Sequence, residues 1–166
     1  MAYLLDANVF IQAKNLHYGF DFCPGFWDWL TRENTAGRVF SIEKVGDELR
    51  AIQDDPSVWA DARGRGFFLP PEPAMLPMLT RVSAWVSGQR YEPSAVSSFL
   101  QVADYYLVGA ALTFGHTVVT REIASTSTKK IKIPDACIGL GVRCVTPFEM
   151  LRNSGARFVM SPGSTA

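Results

Sequence analysis

Four acidic residues lie where the sequence predicts a strand end or an amphipathic or apolar helix. Asp6 ends the first apolar run, and Glu122 follows a later run of β-branched residues. Asp104 lies among apolar residues of a predicted helix, where an unpaired carboxylate would be costly to bury. Glu48 lies on an earlier amphipathic helix. Brought together, these carboxylates would repel one another unless they bound hard cations such as Mg²⁺ or Mn²⁺, which prefer oxygen ligands.

The same residues also fit a purely structural interpretation. Asp6 would cap the helix that follows it, because acidic residues are common at helix starts. Glu48 and Glu122 would be solvated, and Asp104 would pair with a buried arginine. The spacing alone leaves both interpretations open.

The elements that must position these residues are predicted from apolar periodicity. Short strands are expected at 3–5, 38–40, 67–69, 117–120 and 143–145. Helices are expected after Asp6, from Pro24, after an N-cap at Ser41, around Trp59, up to Gly88, over 97–114 and from Pro147. Asp104 would lie in the middle of the 97–114 helix, and 122–133 would be an irregular polar segment.

Strands that alternate with helices favour a three-layer α/β/α domain with a central, mainly parallel sheet of four to five strands. Ligands of such sheets collect outside the carboxyl ends of the strands, where Asp6 and Glu122 are expected. With 166 residues, 48% of them hydrophobic, and no break in composition, the chain predicts one domain over 1–160. Residues 161–166 are predicted to be a disordered tail.

Composition narrows the classes of function. Sixteen basic and sixteen acidic residues give no net charge, so affinity for a polyanion must come from a local patch. No signal peptide and no apolar run long enough to span a bilayer are recognised, which predicts a soluble, cytoplasmic protein with no membrane partner. Three cysteines without Cys-x-x-Cys spacing predict neither disulfides nor a zinc ribbon.

Several common enzyme motifs are missing. The Gly139-Leu-Gly141 segment lacks the context of a dinucleotide-binding loop, and the sequence contains neither a phosphate-binding Gly-x-x-x-x-Gly-Lys loop nor a Gly-x-Ser-x-Gly elbow. A phosphatase of the haloacid-dehalogenase type would carry an aspartate where this chain has Asn8. These observations argue against nucleotide cofactors, serine hydrolysis and phosphoaspartate chemistry.

Four segments resemble the PIN-domain nucleases in type, order and spacing. They are Tyr-Leu-Leu-Asp-Ala-Asn-Val-Phe-Ile (3–11), Ser-Ile-Glu-Lys-Val-Gly-Asp-Glu-Leu (41–49), Ala-Asp-Tyr-Tyr-Leu-Val-Gly-Ala-Ala (103–111) and Val-Val-Thr-Arg-Glu (118–122). The resemblance is closest to the branch related to VapC-type toxins. It extends to 26–30 and 132–137 and covers nearly the whole chain.

This resemblance implies a Mg²⁺- or Mn²⁺-dependent endoribonuclease, often the toxin of a bacterial type II toxin–antitoxin pair, with a PIN-like fold. Its acidic positions correspond to Asp6, Glu48, Asp104 and Glu122, which would be both catalytic and metal-binding. Asp47 is the alternative to Glu48. Many relatives carry Asp where this chain has Glu122, and Asp135 is the alternative fourth acid. Asn8 and Thr120 would assist through their side-chain oxygens.

RNA and protein partners follow from the same interpretation. Arg121, Lys129, Lys130 and Lys132 surround a polar loop near the predicted site and would contact RNA phosphates, although a solvated loop is the alternative. A cognate antitoxin protein is expected. Aromatic residues at 22, 26, 27 and 29 would form either an interface, including one with a second protomer, or part of the core. The rival function is a catalytically silent PIN-like module that binds RNA or a protein.

Overall fold

The computed structural model describes residues 1–162, and the predicted three-layer α/β/α architecture is confirmed. The sheet has five strands, all parallel, in the order β3-β2-β1-β4-β5. The strands are β1 (Tyr3–Leu5), β2 (Val39–Ile42), β3 (Phe68–Leu69), β4 (Thr117–Val119) and β5 (Cys144–Val145). Residues 163–166 of the predicted tail lie outside the described residues.

The helices are α1 (Ala7–Gln12), α2 (Pro24–Thr35), α3 (Glu43–Ile52), α4 (Asp55–Arg63), α5 (Leu76–Gly88), α6 (Pro93–Gln101), α7 (Ala103–Phe114), α8 (Ile133–Leu140) and α9 (Pro147–Asn153). A π-helical turn, Ala13–His17, continues α1, and the turns Gly64–Gly66 and Pro73–Met75 are 3₁₀. No helix was predicted at the position of α8.

Both faces of the sheet are covered. Successive residues of a strand point to opposite faces, and Leu4, Leu5, Val118 and Val119 are all fully buried. The two central strands therefore contribute apolar side chains to a core on each side, as expected for a parallel sheet between helix layers. The aromatic residues Phe26, Trp27 and Trp29 belong to this core, whereas Phe22 is 66% exposed.

The predicted helix over 97–114 is wrong in one respect that matters for the site. The chain breaks at Val102, which is extended (φ −106°, ψ 169°) and lies between α6 and α7. Asp104 therefore occupies the first turn of α7 and not the middle of a long helix. Its carboxylate benefits there from the positive end of the helix dipole.

The predicted N-cap at Ser41 is also wrong. Ser41 belongs to β2, is fully buried, and donates a 2.6 Å hydrogen bond from Oγ to the carbonyl of Leu5. The helix begins instead at Glu43, after Ile42. This bond ties the carboxyl end of β2 to the end of β1, immediately before Asp6.

Within residues 1–162, no single helix is long and apolar enough to cross a membrane. The pair α6 and α7 meets the same test of length and composition only when the two are taken together, and they meet at a bend of 70°.

Candidate acidic site at the sheet edge

The site lies at the point where the order of the strands reverses. The chain runs from β1 outward through β2 to β3, and then returns to the other side of β1 to form β4 and β5. Ligands of open α/β sheets bind in the crevice outside the carboxyl ends of the strands at such a switch point. Asp6 directly follows β1 and Thr120 directly follows β4, so these residues border that crevice.

Asp6 is held by a network of hydrogen bonds centred on Thr120. The Thr120 hydroxyl donates to Oδ2 of Asp6 at 2.9 Å and accepts from the backbone N–H of Glu122 at 3.1 Å. The side-chain amide of Asn8 donates to the same hydroxyl at 3.4 Å, while its oxygen accepts from the backbone N–H of Arg121 at 3.1 Å. Asn8 and Thr120 thus orient Asp6 and the turn 120–122.

The side chain of Asp6 makes no capping hydrogen bond to helix α1, although the residue occupies the N-cap position. It is 4% exposed and forms no ion pair among residues 1–162. A buried carboxylate normally requires a partner cation or several hydrogen bonds. Capping therefore does not account for Asp6.

Asp104 and Glu48 lie on facing helices and line one cavity. Asp104 is half-buried and has no arginine partner in the described part of the chain, contrary to the structural interpretation of this residue. Glu48 is exposed as a residue, yet partial burial of its carboxylate raises its pKa. A hydrogen bond from the backbone of Ala103 opposes that rise because it stabilises the charged form. The break at Val102 thus places the start of α7 beside α3.

Asp47, the alternative to Glu48, lies elsewhere on α3. Its carboxylate accepts a 3.0 Å hydrogen bond from Nη1 of Arg50, and its side chain is 65% exposed. Glu48 lines the same cavity as Asp104 and its charge raises the pKa of Asp104, whereas Asp47 does not line that cavity. The helix therefore points Glu48, and not its neighbour, toward the other acids.

Glu122 and Asp135 also differ in their surroundings. The charge of Glu122 is among the main causes that raise the pKa of both Asp6 and Asp104. Asp135 instead accepts hydrogen bonds from the backbone N–H of Ser125 at 3.1 and 3.3 Å. Glu122 has a structural contact as well, because its Oε2 accepts from the first N–H of α8, that of Ile133, at 2.7 Å.

Burial and mutual repulsion perturb the acids most strongly at the centre of the group. Burial raises the pKa of Asp6 to about 7, with further increases from the charges of Asp104 and Glu122, against a decrease from the Thr120 hydrogen bond. Burial also raises the pKa of Asp104 to about 6, with added repulsion from Glu122 and Glu48, against a decrease from the charge of Lys130. Acids whose pKa values are raised by burial and by one another are frequent at functional sites.

The predicted RNA-binding cations border this acidic group in different ways. The guanidinium of Arg121 lies 5.4 Å from the ring centre of Phe148 and forms no salt bridge in residues 1–162. Lys129 and Lys130 are exposed and line the same cavity as Glu48 and Asp104. Lys132 lies 4.0 Å from Oε1 of Glu122, so its charge is partly engaged.

The chemistry of the donor set suits a hard divalent cation. Asp6, Asp104, Glu48 and Glu122 offer only carboxylate oxygens, which Mg²⁺ and Mn²⁺ prefer. No three His, Cys, Asp or Glu side chains of residues 1–162 stand close enough together, as they are placed, to hold an ion. Repulsion between like charges keeps carboxylates apart, and a bound cation would offset that repulsion.

The fold and the site thus define a parallel α/β protein with an acidic crevice at its topological switch point. Residues 3–158 match the family described as "Domain of unknown function (DUF4411)", and the chain belongs to that family. No curated protein and no solved structure matches the chain.

Two features of the site have no signal in the sequence. The stacking of Arg121 on Phe148 joins residues from a loop and from α9 that no motif connects. The cavity beside Glu48 and Asp104 is lined on its apolar side by Phe99 and Val102, and it lies at the bend between α6 and α7. The mainly apolar character of 97–114 gave no sign of that bend.

Proposed function

We propose that this protein is a Mg²⁺- or Mn²⁺-dependent endoribonuclease whose centre comprises Asp6, Glu48, Asp104 and Glu122. One observation carries the proposal: carboxylates from four separate parts of the chain are linked by mutual repulsion around the switch point of the sheet, and the two most perturbed, Asp6 and Asp104, form no salt bridge in residues 1–162. Lys132 lies near Glu122, and the charge of Lys130 lowers the pKa of Asp104, yet the pKa of Asp104 stays raised, so these lysines offset the repulsion only in part. A bound divalent cation would offset the rest.

Asp6 and Asp104 would hold the ion, with Glu122 and Glu48 as further ligands or as acceptors for its water molecules. Bound there, the ion would supply Lewis-acid stabilisation of a phosphodiester and would lower the pKa of a water molecule. The protein's own contribution is to orient these groups. Thr120 holds one oxygen of Asp6 through a 2.9 Å hydrogen bond, which leaves the other oxygen of Asp6 available to a ligand.

A polyanionic substrate is supported by the cations around the crevice. The whole chain has no net charge, but Arg121, Lys129 and Lys130 form no salt bridge within residues 1–162, and Lys130 acts on a site acid by lowering the pKa of Asp104. Cations without ion-pair partners beside an acidic centre are suited to phosphates that flank a scissile bond. Lys132 would contribute less, because Glu122 already lies near it.

The biological role that we propose is that of the cytoplasmic toxin of a bacterial type II toxin–antitoxin pair. The support is the resemblance of the segments around Asp6, Glu48, Asp104 and Glu122 to VapC-type toxins. A small neighbouring gene whose product relieves growth arrest by this protein would identify the cognate antitoxin. A gene encoded alone would argue against the toxin role without affecting the nuclease proposal.

The nuclease proposal is tested by incubating purified protein with a mixture of structured RNAs in Mn²⁺, Mg²⁺ or EDTA. Asp6→Asn and Asp104→Asn keep the volume of each side chain but remove its charge. Asp28→Asn is the matched control, because Asp28 is exposed on α2 and borders a different cavity. Metal-dependent cleavage by wild type and the control, and its loss in both site variants, is the expected result.

A second function is favoured by two observations. Glu122 already accepts a hydrogen bond from α8, and no three acids of residues 1–162 converge as placed. A catalytically silent module that binds RNA or a protein would have this arrangement. Folded wild-type protein that cuts no RNA in either metal, or folded site variants that cut as well as wild type, would favour the module over the nuclease.

A further inference from the structure

A cavity of about 280 Å³ opens beside the acidic group. Glu48 and Asp104 form its acidic wall, and Lys129 and Lys130 form its basic wall. Its remaining surface comes mainly from α6 and from the bend that follows it. The volume is close to the lower end of the ~300–1,000 Å³ range typical of small-molecule sites.

The basic wall is part of a loop that is fixed at several points. The carbonyl of Thr128 accepts a 2.9 Å hydrogen bond from the backbone N–H of Glu92, at the start of α6. Hydroxyls of Ser125 and Ser127 accept from backbone N–H groups two residues further along, and Asp135 holds the N–H of Ser125. The backbone that carries Lys129 and Lys130 is therefore positioned before any ligand arrives.

The rest of the cavity is apolar enough for a flat ring. Phe99 is 3% exposed and contributes to the base of the cavity, while Val102 is 42% exposed at the bend between α6 and α7. Ser98 adds a hydroxyl on the exposed side of α6. An apolar surface with a few polar groups, next to two exposed lysines that form no salt bridge in residues 1–162, complements a nucleobase joined to a phosphate.

We infer that this cavity is a subsite for one unpaired nucleotide of the RNA, next to the bond that is cut. Lys129 and Lys130 bind its phosphate, and its base lies against Val102 and Phe99. The inference rests on the proposed function for the position of the scissile bond, although binding itself does not require cleavage. A base held in a Watson–Crick pair would not enter, because its hydrogen-bonding edge and its two faces are already occupied by its partner and by the stacked neighbours.

The test measures binding without metal, so that no RNA is cut. The affinity of a short fluorescein-labelled RNA is measured by fluorescence anisotropy in EDTA over a series of salt concentrations. The same strand with abasic residues at its central positions keeps the phosphates but lacks the bases. Lys129→Ala/Lys130→Ala removes the basic wall, and Arg81→Ala/Arg90→Ala is its control, because it removes two exposed charges that do not line the cavity.

We expect the lysine double variant to bind on the order of tenfold more weakly than the arginine control. Its dependence of log K on log salt should be shallower by about 0.7, which corresponds to one phosphate contact on a single strand. Wild type should prefer the intact strand over the abasic strand on the order of tenfold. Val102→Trp, or Ser98→Trp as a second blocking variant on an exposed position, should remove that preference while the far-UV circular dichroism stays native.

Equal affinities of the lysine and arginine double variants would overturn the subsite, as would equal binding of intact and abasic strands by wild type. These outcomes are separable from those of the nuclease test. Metal-dependent cleavage without any effect of the cavity variants would leave the nuclease standing and remove the subsite. The expected binding pattern without cleavage would keep the subsite and remove the nuclease.

Discussion

The hydroxyl of Thr120 donates a 2.9 Å hydrogen bond to Oδ2 of Asp6, a residue 114 positions away in the sequence. The hydroxyl oxygen of Thr120 also accepts hydrogen bonds from the side-chain amide of Asn8 and from the backbone N–H of Glu122. One buried hydroxyl, 1% exposed as a residue, therefore connects the end of β1 to the end of β4 and satisfies three polar groups at once. Its removal would affect both the stability of the domain and the charge state of Asp6.

Thr120→Val keeps the shape of the side chain but removes the donor and the acceptor. We expect it to reduce the free energy of unfolding by about 1–3 kcal/mol, because the Asn8 amide and the Glu122 N–H lose a buried acceptor. The pKa of Asp6 should rise further, since the Thr120 hydrogen bond lowers it. Urea unfolding and ¹³C NMR titration of the Asp6 carboxyl measure the two effects. Thr120→Ser, which retains the hydroxyl, should show little change in either, and equal behaviour of the two variants would contradict the role of the hydroxyl.

The metal-free protein should lose stability as the pH rises through the neutral range. Burial and repulsion raise the pKa of Asp6 from 3.8 to about 7 and that of Asp104 to about 6, so the folded state binds protons more tightly than the unfolded state. The resulting stabilisation is fully present below pH ~4 and is lost as the pH passes through 6 to 7, by an amount on the order of a few kcal/mol.

Urea unfolding in EDTA between pH 4.5 and 8 measures this decline. Asp6→Asn and Asp104→Asn should flatten it and should be more stable than wild type at pH 8, because each removes one buried negative charge. A wild-type stability that stays constant or increases over this range would show that the folded-state pKa values are not raised.

Much of this arrangement was predictable from the sequence, for identifiable reasons. Asp6 interrupts an apolar run, and such runs alternate with helices, so a parallel sheet with Asp6 at a strand end follows from periodicity. All five strands lie where they were expected. What periodicity could not provide is the break at Val102, since 97–114 is apolar on nearly every side and contains neither proline nor a glycine at the break.

The direction of individual side chains is the second feature that the sequence could not predict. Asp47 and Glu48 are adjacent, and Glu122 and Asp135 both flank one polar loop, so their roles depend on which way each carboxylate points. Ser41 illustrates the same difficulty, because a good N-cap residue instead bonds the carbonyl of Leu5 across the sheet. Local preference was overridden there by a contact 36 residues distant.

Divalent metal should stabilise the protein in a manner that depends on pH. A carboxylate must lose its proton to bind the ion, and Asp6 and Asp104 have raised pKa values, so metal binding should release protons near pH 6. At a Mn²⁺ concentration about 100 times Kd, Tm should rise by roughly 5–10 °C at pH 8. The rise should be much smaller at pH 5.5.

Differential scanning fluorimetry with Mn²⁺ or Mg²⁺ measures these shifts, and calorimetry in buffers of different ionisation enthalpy counts the protons released. Asp28→Asn should respond as wild type does, whereas Asp6→Asn should not respond. A Tm that is insensitive to both metals at pH 8 would argue against a metal centre at the switch point.

Substitutions of Glu122 and of Asp135 should have different effects. The charge of Glu122 acts on both central acids, so Glu122→Gln should lower metal-dependent cleavage about 10- to 100-fold. Asp135→Asn weakens the hydrogen bonds to the Ser125 N–H and should mainly cost stability, about 1 kcal/mol. Cleavage rates measured beside urea unfolding distinguish the two effects. A folded Asp135→Asn variant that loses cleavage while Glu122→Gln retains it would reverse the assignment.

The adjacent acids of α3 offer the narrowest comparison in the chain. Glu48 lines the cavity with Asp104 and raises its pKa, whereas Asp47 is bound to Arg50 at 3.0 Å and points into solvent. Glu48→Gln should therefore reduce metal-dependent cleavage about 10- to 100-fold and weaken metal affinity in calorimetry. Asp47→Asn should change cleavage less than about twofold and stability by only a few tenths of a kcal/mol, because an exposed pair contributes little and Arg50 keeps its 2.9 Å contact with Asp61.

Because the two residues are neighbours on one helix and each substitution removes one charge, a general electrostatic effect would affect both equally. A loss of cleavage in Glu48→Gln alone would therefore reflect the direction of its side chain. Equal losses in the two variants would show that Glu48 has no specific role in the centre.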